Sequence, residues 1–129
     1  TDYHLGITHH GVADWQPKFR TVVTWTVLKF TQFLQKLDAV KDVDGVSSIL
    51  DNTLAFCSSE ISDGNRHNHD DMPVLIGGSL GGLIKLSGQH IQYTKGETFA
   101  DLFMWIAKSM GVPPLTKFGD SGTGRITEL

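Results

Sequence analysis

Five of the six histidines fall in two short polar tracts, residues 2–11 with His4, His9 and His10, and residues 60–71 with His67 and His69. In the second tract Glu60, Asp63, Asp70 and Asp71 stand within a few residues of the imidazoles. Neutral imidazoles and carboxylates each offer a lone pair without a thiolate, the donor set of a divalent ion of the zinc or manganese type. The two tracts are therefore expected to meet around a shared cation once the chain folds. His67 and His69, two apart on an extended segment, point to opposite sides, so one of them is expected to ligate a given ion. The other would face an adjacent metal or a substrate oxygen. Asn65 and Arg66 lie between the carboxylates and the histidines and could hold an oxyanion, Arg66 through its planar fork. The plain alternative is a hydrophilic connecting loop with solvated charges.

Other residues carry weaker chemistry. Gly119-Asp120-Ser121-Gly122 has the form of a trypsin-like nucleophile segment, but that chemistry belongs to two all-β barrels, and this chain has long helical stretches and few strands. The run Gly77-Gly78-Ser79-Leu80-Gly81-Gly82 lacks the following Lys-Ser/Thr of a phosphate-binding loop and reads as a turn. Cys57 lies in an apolar run and reads as inert filling. As the single cysteine, it excludes an internal disulfide and a thiolate cluster within one chain.

The elements that must position the tracts follow from hydrophobic spacing. Phe19, Val22, Val23, Phe30, Phe33, Leu34, Leu37 and Val40 recur every three to four residues, which predicts a helix over 17–41. Asp14 or Gln16 can cap it, Pro17 suits its first turn and Gly45 its exit. Trp25, Val27 and Leu28 widen the apolar stripe and point to contact on more than one side. Residues 53–57 and 72–76 read as short buried strands flanking the second His tract. Residues 83–86 and 89–93 alternate across Ser87-Gly88 as a hairpin, with His90 in a structural role. Thr98 and Asp101 form a capping box ahead of a second amphipathic helix, which Gly111 and Pro113-Pro114 stop. Helices with two apolar strands favour an α/β layer architecture, in which ligands bind at loops beyond strand ends.

Bulk properties narrow the class. The chain has 129 residues, enough for one domain with a core of its own, and a net charge of -3. With a pI near 6.0 it offers no basic stripe for nucleic acid. No apolar run reaches the length of a transmembrane helix. The sequence starts at Thr1, close to the first His tract and without an initiator Met, and is expected to be a processed product or the C-terminal fragment of a larger domain.

Thr8-His9-His10-Gly11, the runs 50–53 and 59–75, and Phe118-Gly119-Asp120-Ser121 together resemble the C-terminal part of a family of exported bacterial proteins named for an H-x-x-S-H-H motif. The likeness runs through nearly the whole chain and is densest over 59–75. Thr8 stands where the motif has Ser, and His4 is one position further from the pair than the motif places its first His, so His9 and His10 are the expected ligands of that tract. The family is in turn distantly similar to the alkaline phosphatase and sulfatase superfamily. That resemblance implies the C-terminal portion of an alkaline-phosphatase-like layered fold, with long helices on a small sheet and a hairpin. It implies a periplasmic or cell-surface location and a divalent metal, whether zinc, manganese, magnesium or calcium. The metal would be held among His9, His10, Glu60, Asp63, His67, His69 and Asp70, with Asn65 and Arg66 toward substrate. Phosphate or sulfate ester hydrolysis is the implied chemistry. Its nucleophile would come from outside this chain. The rival expectation is a non-catalytic metal-binding subunit or assembly module, whose partners are the remainder of its own polypeptide or other subunits.

Overall fold

A computed structural model describes residues 2–85, 88–127 and 129. The chain divides into two units, Thr1–Gly82 and Leu83–Leu129.

In the first unit the chain opens with one π-helical turn, Tyr3–Thr8. Asp2 caps it by accepting from the backbone N–H of His4 at 2.8 Å and of Leu5 at 3.3 Å. The Thr8 hydroxyl closes it from the other end by donating to the His4 carbonyl at 2.5 Å and the Tyr3 carbonyl at 3.1 Å. Helix α1 follows at Trp15–Asp38. Pro17 sits in its first turn, where its missing N–H costs nothing. Asp14 occupies the cap position but gives its carboxylate to Lys18, 2.7 Å away. That ion pair holds the Asp14 carboxyl below the usual carboxylate range.

α1 ends at Asp38, short of the expected exit at Gly45. The sequence Asp42-Val43-Asp44-Gly45 competes with helix by side-chain turns: Asp42 accepts from Val43 N–H, and Asp44 accepts from Val46 and Ser47 N–H at 2.8 and 3.0 Å. A 3-10 turn at Leu50–Asn52 leads into strand β1, Ala55–Ser58. Strand β2, Val74–Gly77, pairs with it antiparallel, with Ala55 opposite Gly77 and Ser58 opposite Val74. Both strands start two residues later than the hydrophobic pattern predicts. β2 packs on α1 closely enough that a Cβ on Gly77 would lie 2.5 Å from Leu34 Cδ1. The glycine run after β2 is a turn: Leu80 and Gly81 donate their N–H groups to the carbonyls of Thr53 and Asp51.

The second unit is built on helix α2, Phe99–Ser109, which opens with the predicted capping box of Thr98 and Asp101. Leu102, Met104 and Trp105 bury one face, and Ile126 from the C-terminal segment is buried with them. Asp101 has no solvent exposure. Its Oδ1 accepts from the backbone N–H groups of Thr123, Gly124 and Arg125 at 2.7, 2.8 and 3.2 Å, and its Oδ2 from Thr98 N–H at 2.9 Å and the Thr98 hydroxyl at 3.0 Å. Desolvation alone would raise this carboxyl, but the N–H groups of Thr123, Arg125 and Thr98 outweigh it and hold it far below an ordinary aspartate.

The expected hairpin is corrected. Leu86 and Ser87, at its turn, lie outside the described residues, and residues 83–85 and 88–93 form no strand. An isolated two-stranded ribbon has too little to bury, and His90 is accordingly exposed rather than structural. The architecture is thus mixed, helices with one small antiparallel sheet. Because that sheet holds no parallel pair, the strand-end rule of doubly wound folds does not place the site. Among the described residues no helix is long and apolar enough to cross a membrane.

Candidate metal centre

The two His tracts meet. His9 and His67, 58 positions apart, face each other with Nε2 to Nε2 at 3.3 Å and ring centroids at 4.8 Å. His4 also lies edge-on to His9, centroid to centroid 4.6 Å.

The first tract presents His4 and His9 together because of its π turn. Residues five apart on an α-helix are rotated by about 140° from one another. In a π turn the hydrogen bond spans five residues, and His9 N–H donates to the His4 carbonyl at 3.1 Å. The two imidazoles therefore leave the same side. His10, next in the chain, has φ +58° and turns away, stacking on Trp15 with centroids 3.6 Å apart and planes 15° from parallel.

The second tract is folded by Asp63. Its Oδ1 accepts from the N–H groups of Asn65 and Arg66 at 2.8 and 3.1 Å, and its backbone carbonyl accepts from His67 N–H at 2.8 Å. The loop closes through Ser62 N–H to the Asn68 carbonyl at 3.0 Å. His67 sits at its tip with φ +54°, which turns its ring back toward the first tract. Close approach depends on Gly64. A Cβ there would lie 2.6 Å from the Thr8 carbonyl oxygen and 3.1 Å from Thr8 Cβ, a position only a residue without a side chain can take.

Electrostatics follow from this crowding. Partial desolvation, then the neighbouring His4, His67 and His10, lower the pKa of His9 and favour its neutral, lone-pair-bearing form. The N–H groups of Arg66 and Asn65 hold the Asp63 carboxyl below its ordinary range. Asp63 is thereby committed to its own loop.

Asp70 accepts from the Asn68 amide at 3.0 Å, and Glu60, His69 and Asn65 are exposed. Arg66, with 77% of its side chain exposed, has its Nε 3.8 Å from Asp63 Oδ2. Among the described residues no three His, Cys, Asp or Glu side chains form a group able to hold a metal ion. His9 and His67 are thus a pair, with His4 adjacent. The motif ranks His4 behind His9 and His10 because it stands one position too far from the pair; Asp2 and Thr8, both suited to closing a short turn, are the signals of the wider turn that brings it back. Compared with known proteins, the chain matches no family model, no curated protein and no solved structure.

Proposed function

We propose that this protein binds a divalent transition-metal ion through Nε2 of His9 and Nε2 of His67. The observation that carries the reading is their separation. With Zn–N bonds of about 2.0–2.1 Å, two nitrogens on one tetrahedral ion stand about 3.3 Å apart. The His9–His67 distance of 3.3 Å equals that edge. Imidazole donors favour zinc over magnesium or calcium, which prefer oxygen. His4, beside His9, is the nearest candidate for a third ligand after a side-chain rotation, and water would complete the shell. Such an ion would clasp the π turn to the 62–68 loop, as in a metal-stiffened module of a larger exported assembly. The exported, periplasmic or cell-surface location and the alkaline-phosphatase-like parentage of the fold belong to the same proposal and rest on the motif resemblance.

A second reading, phosphate or sulfate ester hydrolysis at the same ion, is favoured by Arg66. It is exposed next to His67 and suited to an ester oxyanion. The bound metal would supply Lewis acidity.

Calorimetric titration of zinc into the untagged, metal-free chain tests the first reading. One ion is expected to bind, with affinity falling at least roughly tenfold in His9→Ala and in His67→Ala and unchanged in His69→Ala. Equal affinity in a His9→Ala/His67→Ala double variant would overturn it. Zinc-dependent turnover of aryl phosphates or sulfates that disappears in Arg66→Ala would establish the second; zinc binding without turnover leaves the clasp.

A further inference from the structure

Helix α1 is poorly covered. It is 24 residues long and none of them is buried. Trp25 is 59% exposed, Leu28 49% and Phe33 50%, with Val23 and Val27 also exposed. Apolar residues on more than one flank of a helix mark it as part of a larger core.

The charges on α1 say what kind of partner fits. From Trp15 to Asp38 the helix carries Lys18, Arg20, Lys29 and Lys36 against one acidic residue, Asp38 at its last position, although the chain as a whole is negative. Lys18 and Arg20 lie toward the positive end of the helix macrodipole, so they are not placed to stabilise the helix. Lys18 is offset by Asp14. Lys29 stands over the Trp25 ring, 5.6 Å from its centroid, with a hydrogen bond to Gln32 at 3.1 Å. Together these make an aromatic anchor rimmed by cations. On the adjoining flank a shallow groove is lined by Trp15, Gln16, Phe19, Arg20, Val23 and Thr24.

We propose that this face of α1 docks a separate polypeptide that presents an amphipathic helix with an acidic rim. Trp25 and Leu28 would be the apolar anchors, and Arg20, Lys29 and Lys36 the charge complement. A second copy fits poorly, because α1 against α1 would set cations against cations.

The test uses the full chain and two synthetic amphipathic peptides with the same leucine face, one rimmed by glutamate and one by lysine, read by fluorescence anisotropy. The glutamate peptide is expected to bind at least roughly tenfold tighter than the lysine peptide, more weakly as salt rises, and roughly tenfold more weakly to Trp25→Ala. In a Lys29→Glu/Lys36→Glu variant the preference should invert, and a gain of lysine-peptide binding shows that this variant is folded. Equal binding of both peptides, or binding of neither, would overturn the proposal. So would tighter binding to phosphatidylserine vesicles than to the glutamate peptide, or self-association in sedimentation that Trp25→Ala abolishes.

Discussion

Asp101 and His67 each tie distant parts of this chain together, and they differ in how completely their atoms are used. The Asp101 carboxylate receives hydrogen bonds from residues 22 to 24 positions away and from Thr98. It is fully buried. His67 makes one contact across 58 positions, ring nitrogen to ring nitrogen, on an exposed loop tip. A saturated polar group in a dry setting is a structural device, since its removal orphans several partners at once. A pair of imidazole nitrogens turned toward each other near solvent has coordination capacity to spare. The difference separates what holds this protein together from the pair we propose as its metal site.

Five substitutions, at four positions, would break or sharpen that contrast. The largest effect is expected from Asp101→Ala, which strands the N–H groups of Thr123, Gly124 and Arg125; a loss of about 3 kcal/mol in chemical denaturation is anticipated. Asp101→Asn adds a pH signature. Because the folded carboxyl lies below the ordinary aspartate value of 3.8, its contribution is complete above that pH and declines as acid is added below it. The Asn variant should show less of that decline.

Gly64→Ala comes next, at about 1–3 kcal/mol, because the backbone of Thr8 must give way. Zinc affinity should fall with it, and retention of full affinity would show that the two tracts do not need this approach. His67→Ala should leave the melting temperature nearly unchanged while moving the His9 titration, followed by NMR, up toward 6.5 as one charged neighbour is lost. An unmoved His9 midpoint would mean that the two rings are apart in solution. Smallest of all is His69→Ala, expected to alter neither zinc binding nor stability.

Much of this was legible in the sequence, for identifiable reasons. The Thr98–Asp101 capping box was readable because both partners lie within one turn, and α1 because its apolar period survives over six turns. The strands around the second tract were visible as apolar runs, though not their antiparallel pairing. The suspected hairpin at 83–93 failed because alternation without a covering layer buries nothing. The meeting of the two tracts could be wagered on from composition, since histidines are few and five lie in two places. Which histidines meet could not. His10 is taken by Trp15 through a stacking that no spacing rule anticipates, and Asp63 spends its carboxylate on Asn65 and Arg66. The buried role of Asp101 beyond its cap was likewise invisible, because Thr123 to Arg125 are brought back by tertiary folding.

The opening turn also bears on how ligand spacing is read from a chain. His4 and His9 are five positions apart, a spacing that an α-helix would turn to different sides. A hydrogen-bonded ring one residue wider than that of an α-helix keeps both imidazoles on a common side. Separation counted in residues and separation in space are then distinct quantities, with the backbone absorbing the difference.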